Sequence, residues 1–359
     1  MGSLPPDRRD WDETEMATVG VVRQPRAVGR PELANGIFLA LCAAVVLALA
    51  IVAIARPAYF FQTMVFGVAD GALFALVAIG YTMVYGIIEL INFAHGDVFT
   101  LGAFFAIPLL SLVGLGEGGS FTIVTALLLF VVLVVVMSLT GLVNITIERV
   151  AYRPLRNAPK LAPLITAIGM SFVLEGLMYL WRGPVTVHFP NLLPGDRWYI
   201  GNVGIGLKDA FVVGFAALLV SLLTLFVNRT RLGKAMRATA QDRDAAQLMG
   251  IDINRTIAAT FFIGAALAGA GGIVWGLYFN NIRFDLGFQA GLIAFTAAVF
   301  GGIGNIQGAA LGGLLIGMIA AFSDGFISPL WTPVVVFSIL IMVLVFRPTG
   351  LLGMRVPEK

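Results

Sequence analysis

Charge is scarce in this chain. Only 12% of its 359 residues are Asp, Glu, Lys or Arg, while 59% are hydrophobic. An average soluble domain carries about 25% charged residues, so a water-exposed globule is excluded and an integral membrane protein is indicated. The mean hydropathy of +0.94 agrees. Cysteine is almost absent. Cys42 stands alone, which rules out an intrachain disulfide framework. His95 and His188 are the only histidines and lie far apart in sequence, so no metal-ligand cluster is expected. No G-x-x-x-x-G-K-[ST] loop occurs, and the chain cannot by itself supply a P-loop ATPase. No Ser/His/Asp hydrolase motif is present either. The net charge of +3 does not argue for nucleic acid, because the basic residues lie in loops between apolar runs.

What the chain has instead is apolar length. Runs cover 37–55, 63–88, 98–115, 121–147, 161–181, 210–228, 256–279, 289–301, 306–322 and 333–346. Few alternate as barrel strands would. The reading is an all-α polytopic bundle of about 8–10 transmembrane helices, some of them short or broken. The 42 glycines suit helices that pack closely in lipid. Arg149, Arg153, Arg156 and Lys160 crowd one loop, and Arg229, Arg231, Lys234, Arg237, Arg243 and Arg255 crowd another. Lys and Arg accumulate on the cytoplasmic side, which places both loops and both chain ends there. Segment 182–209 is then the longest outer loop. Its Trp198 and Tyr199, with Trp181, read as interface anchors or as a docking surface for an external solute-delivering protein.

Residues 1–35 are polar and lack apolar periodicity, as a disordered cytoplasmic tail would. An additional helix over 36–56 follows. It ends in Ala53-Ile54-Ala55, like a signal-peptidase site, but the long acid-rich segment before it argues against cleavage. Residues 57–350 form the main transmembrane domain, and 351–359 a cytoplasmic tail.

Two segments carry chemistry. The first is Glu89-Leu90-Ile91-Asn92-Phe93-Ala94-His95-Gly96-Asp97, a polar cluster between apolar runs. Unpaired polar groups in hydrocarbon are costly, so such clusters mark solute paths or cap broken helices. Asn92, His95, Gly96 and Asp97 are candidates for the path. Placed three apart on a helix, Asn92 and His95 would share a face. Gly304 and Asn305 join them through a weak likeness between Asn92-x-x-x-Gly96 and Asn305-x-x-Gly308. Gly96, Gly102, Gly301, Gly302 and Gly304 are also expected as close-packing or bend positions, and Asp70 and Glu175 as residues paired with neighbouring helices. No catalytic residues and no metal site are expected.

The second segment is cytoplasmic, 229–255. From Lys234 to Met249 it lacks Pro and Gly, and Gly250 stands at a C-cap position. One amphipathic surface helix is predicted, with its apolar stripe in lipid headgroups or in a groove on a partner.

Asp244-Ala245-Ala246-Gln247-Leu248-Met249-Gly250 resembles the Glu-Ala-Ala-x-x-x-Gly coupling motif of ABC importer permeases, with Asp in place of Glu. Gly233 to Ile251, Asn92-Phe93-Ala94-His95-Gly96 after Tyr85-Gly86, and Phe295 to Ala309 are similar to signatures of the LivH-type permeases of branched-chain amino acid importers. The similarity runs in family order over about residues 60–350; the first fifty-odd residues depart from it. The resemblance implies ATPase coupling through Arg237, Asp244, Ala245, Ala246 and Gly250. It also implies a second permease subunit of LivM type, two cytoplasmic ATPase subunits that use the ATP, and an external solute-binding protein. By this reading the chain is not an enzyme, binds no cofactor itself, touches membrane lipid but no nucleic acid, and sits in a bacterial cytoplasmic (inner) membrane. Urea, short amides or a sugar remain alternative solutes. A stand-alone ion-coupled transporter gains from the buried carboxylates and loses from the coupling-type segment.

Overall fold

A computed structural model describes residues 43, 47, 49–119, 121–156, 158–159, 161–347 and 349–353. The chain divides into two units, Met1–Ala48 and Leu49–Lys359. Of the first, only Ala43 and Leu47 are described, both helical. The expected tail over 1–35 and most of the helix over 36–56 therefore lie outside the described residues.

The second unit is helical nearly throughout. Its helices are α1 (Pro57–Ile88), α2 (Ala94–Leu112), α3 (Ile123–Ile147), α4 (Leu161–Arg182), α5 (Leu207–Arg229), α6 (Arg231–Gln241), α7 (Arg243–Leu248), α8 (Ile253–Phe279), α9 (Leu286–Gly301), α10 (Ile306–Phe326) and α11 (Thr332–Phe346). A π turn, Glu148–Tyr152, and a 3-10 turn, Arg153–Leu155, extend α3. Seven of these helices are long and apolar enough to cross a membrane, and α9 and α11 are shorter apolar helices. They coincide with nine of the ten runs read in the sequence, and the protein is an all-α polytopic membrane protein. Among the described residues, sheet is confined to β1 (Val187–His188) paired antiparallel with β4 (Asn281–Ile282), and to a hairpin of β2 (Arg197–Ile200) and β3 (Val203–Gly206).

Local chemistry sets the boundaries. Pro57 opens α1, where its missing N–H costs nothing. Asp252 caps α8 by accepting from the Arg255 N–H at 3.1 Å. Glu89 and Asn280 close α1 and α8 in the left-handed region, φ 58° and 56°.

Two helices form the centre. The most apolar windows of α1 and α8 are 83% and 78% buried, against 28% for α3, α4 and α5. The outer helices turn Leu127, Phe130, Leu177, Leu180, Leu218 and Leu222 outward, a surface suited to lipid and not to water. Glycine brings the inner helices together. A side-chain carbon on Gly71 of α1 would come 2.7 Å from the Leu314 backbone of α10, and one on Gly102 of α2 would come 2.5 Å from Gly269 of α8. In lipid, where burial of apolar surface no longer drives association, this close backbone packing stabilises the bundle.

Candidate functional site

The polar segment between α1 and α2 is a break in helical structure. Glu89 turns the chain out of α1, residues 89–92 are irregular, and α2 starts at Ala94. Asn92 therefore precedes the helix, and its side chain does not follow helical periodicity relative to His95. The Tyr152 hydroxyl, from the π turn after α3, donates to Asn92 Oδ1 at 2.7 Å. His95 points the other way, against α1. Its ring stands edge-on to Tyr81 with centroids 4.9 Å apart, and a side-chain carbon on Gly80 would come 2.5 Å from His95 Cε1. The shared face expected of Asn92 and His95 is thus not formed, because the left-handed turn at Glu89 takes Asn92 off the helix.

Asp97 faces a third neighbour. Ser171 Oγ of α4 donates to its Oδ2. Gly96 lies against α9, where a side-chain carbon would come 2.8 Å from Gly291 Cα, and one on Gly287 would come 2.8 Å from Asp97 Oδ1. Asn92, His95 and Asp97 are all buried, at most 1% exposed. In this conformation they line no open passage. They do hold unspent hydrogen-bonding capacity. Asn92 Nδ2, Asp97 Oδ1 and Thr100 Oγ1 have no partner among the described residues. The His95 ring lies within reach of the Val77 backbone yet makes no well-formed hydrogen bond. Buried polar atoms left unpaired cost about 1–3 kcal/mol each, so this seam carries an unusual concentration of unsatisfied polar groups.

Gly304 and Asn305 belong to the turn between α9 and α10. Gly304 has φ +91°, which favours glycine. Asn305 caps α10 by accepting from the N–H groups of Gln307 and Gly308, and its Nδ2 donates to the Leu352 carbonyl at 2.8 Å. Its hydrogen bonds are all structural. Asp70 and Glu175 have no ion-pair or hydrogen-bond partner among the described residues; the charged neighbours of Asp70 are Asp324 and Asp209, both acidic. The expected pairing is not found, since the basic residues sit in the loops.

Segment 229–255 departs from the single helix predicted. Asp242 takes an extended conformation, φ −155° and ψ 115°, and its Oδ1 accepts from the N–H groups of Asp244 and Ala245 at 2.9 and 3.0 Å. A short acceptor side chain competes with the helical backbone and starts a new helix, so α6 ends at Gln241 and α7 begins at Arg243. Met236 and Ala246 are buried, whereas Leu248 and Met249 are 89% and 82% exposed. Gly250 is the expected C-cap, with φ +83° and its N–H donating to the Gln247 carbonyl at 2.9 Å. Arg237 donates to the Asn228 carbonyl at the end of α5.

Arg243, expected from the sequence as a loop charge and a polar position of the surface helix, has a specific long-range partner. Its Nη2 donates to the Ile87 carbonyl at 2.9 Å, tying the start of α7 to the end of α1. The one local signal was its position directly before Asp244-Ala245-Ala246. Beside it, Arg156 pairs with Glu148 and donates to Asn254 Oδ1 at 2.7 Å. Burial lowers the affinity of the Arg156 guanidinium for its proton, and Glu148 opposes that shift.

A helical bundle with a broken polar helix pair and a two-helix surface segment anchored to one of those helices is the architecture of a membrane transport permease. The chain belongs to the family described as branched-chain amino acid transport system / permease component, which it matches over residues 63–345. It is 44% identical over 308 residues to the high-affinity branched-chain amino acid transport system permease protein BraD of Pseudomonas aeruginosa, covering 84% of this chain and 98% of that protein. It is 44% identical over 311 residues to the permease protein LivH of the corresponding Escherichia coli K12 system, with the same coverage. A probable branched-chain amino acid transport permease protein LivM of Methanocaldococcus jannaschii is 29% identical over 168 residues, 42% of this chain and 46% of that protein. No solved structure matches.

Proposed function

We propose that this chain is the membrane-spanning permease subunit of an ABC importer that moves branched-chain or related neutral amino acids into the cytoplasm. The observation that carries this reading is the similarity over residues 63–345 together with the surface segment 231–250, which ends in two exposed apolar side chains, Leu248 and Met249. Residues 57–350 are the permease domain, and 229–255 the part that receives motion from a cytoplasmic ATPase. ATP is bound and hydrolysed by partner subunits, and this chain needs no cofactor of its own. The likeness to a LivM-named permease as well as to LivH-named ones supports pairing with a second, homologous permease. An external binding protein would deliver the solute at the outer face, and the assembly would sit in the inner membrane.

Asn92, His95, Gly96 and Asp97 are the proposed solute path. A neutral amino acid carries both charges at its backbone end, so its path needs a few polar groups within apolar walls. The test is uptake of radiolabelled leucine, urea and fructose by proteoliposomes holding this chain, the second permease, the ATPases and the binding protein. Leucine uptake that requires ATP is expected. ATP-driven uptake of urea or fructose in preference to leucine would overturn the solute assignment.

A further inference from the structure

A cavity of about 530 Å³ opens between the α3–α4 connection, α7 and the start of α8. Its size lies within the roughly 300–1,000 Å³ of small-molecule sites. Charges of both signs line it. Arg153, Arg243, Asp244 and Asp252 line it together with Ile251 and Ile253, and of the two carboxylates Asp252 is already engaged by Arg255 as the cap of α8. Arg156 also borders the cavity but is engaged by Glu148 and Asn254. The side chains of Arg153 and Asp244 make no hydrogen bond or ion pair among the described residues. A phosphate or other pure anion would meet the two carboxylates as well as the guanidiniums. A zwitterion with an aliphatic side chain meets a complement for each part: guanidinium for carboxylate, carboxylate for ammonium, isoleucine for the hydrocarbon.

We infer that this cavity is a cytoplasmic binding site for a small aliphatic α-amino acid, through which the imported product slows its own import. The inference rests on the import reading above for its solute class. Arg243 links the site to the transport machinery. A bound carboxylate competes with the Ile87 carbonyl for the Arg243 guanidinium, and a charged acceptor makes the stronger hydrogen bond. Occupancy thus loosens the tie between α7 and α1.

The test uses the complete transporter in nanodiscs without its external binding protein, with radiolabelled leucine in equilibrium dialysis. Saturable binding is expected, weakened about tenfold or more in Arg153→Gln, as loss of one charge-assisted hydrogen bond would require. Ile253→Ser should weaken leucine more than glycine. Basal ATP hydrolysis should be unchanged in Arg153→Gln. In proteoliposomes, leucine loaded on the ATPase side should slow uptake by the wild type and not by Arg153→Gln. No saturable binding to the wild type overturns the proposal, as does binding that both variants leave unchanged, which would place it in the transmembrane path. Binding to the two permeases that disappears when the ATPases assemble also overturns it, by assigning the cavity to the subunit interface. Leucine uptake with the binding protein is scored separately. Intact uptake without cavity binding removes only this inference, while absent uptake removes the import reading and leaves the dialysis result to decide the cavity.

Discussion

The guanidinium of Arg243 donates to the Ile87 carbonyl across 156 residues of sequence. That carbonyl is in the last turn of α1, where helices leave acceptors unpaired and favour positive charge. Five residues on, the chain reaches Asn92. Under the proposed coupling, a push on α7 would reach the polar segment through this bond. Arg243→Ala should cut ATP-driven uptake about tenfold while the complex still hydrolyses ATP, since a hydrogen bond from a charged donor contributes about 1.5–3 kcal/mol. Arg243→Lys should recover only part, because a single ammonium does not reproduce the guanidinium fork. An unchanged ratio of solute moved to ATP consumed in Arg243→Ala would remove the proposed link.

Leu248 and Met249 are the largest apolar side chains at the exposed end of the surface segment. Under the proposed coupling to an ATPase, these two adjacent exposed apolar side chains would form part of the contact. Leu248→Asp and Met249→Asp should release the ATPase subunits from the permease in a pull-down without lowering the amount of permease in the membrane. Full retention of the ATPases by both variants would place the contact elsewhere.

The bundle was legible because composition and run length decide it. In hydrocarbon only closed hydrogen-bonded structures persist, so a run such as 256–279 has few alternatives to a helix. The terminus at Gly250 was also readable, since glycine is the residue that most readily takes its φ of +83°. The break at Asp242 was not. It turns on a single side chain choosing the backbone N–H groups of Asp244 and Ala245 over solvent, a local choice with no periodic signal. The position of Asn92 was hidden for a related reason: the left-handed turn at Glu89 is held by a residue that also suits a helix. Long-range partners such as Tyr152 for Asn92, Ser171 for Asp97 and Ile87 for Arg243 depend on which helices are neighbours, and one sequence does not encode that in its spacing.

Gly287 presses on α2, where an added side-chain carbon would come 2.5 Å from the Gly96 carbonyl oxygen and 2.6 Å from Asp97 Cα. Neither backbone atom can swing away. Gly287→Ala should destabilise the bundle by about 1–3 kcal/mol, the usual cost of overpacking, and lower its thermal midpoint in detergent. Gly214, where an added carbon meets nothing within 4 Å, is the control: Gly214→Ala should leave the midpoint unchanged or raise it slightly.

Residues 1–30 are polar, with acidic and basic residues mixed. A chain beginning at residue 31 should transport at the wild-type rate per molecule inserted. Lost uptake at an undiminished protein level would give the segment a specific role.

The sharpest question concerns Asn92 and His95. Both are sealed from solvent here, and they contact different helices. If their role is only to hold the break between α1 and α2, replacing them should cost folded protein before it costs transport. Tyr152→Phe supplies the benchmark, because it removes the hydrogen bond to Asn92 Oδ1 and leaves the polar segment untouched. It should lower stability by about 1–3 kcal/mol with uptake per folded molecule near normal. Asn92→Leu and His95→Leu should instead lose uptake per folded molecule by more than Tyr152→Phe does. Cysteines at 92 and 95, introduced after Cys42→Ala, then report opening directly. In the resting transporter neither thiol should react with small water-soluble reagents, matching the burial seen here. During ATP turnover at least one should become reactive, since a solute path must hydrate at some stage of the cycle. Thiols that stay unreactive in every nucleotide state would leave this segment a structural role alone and move the path to another face of the bundle.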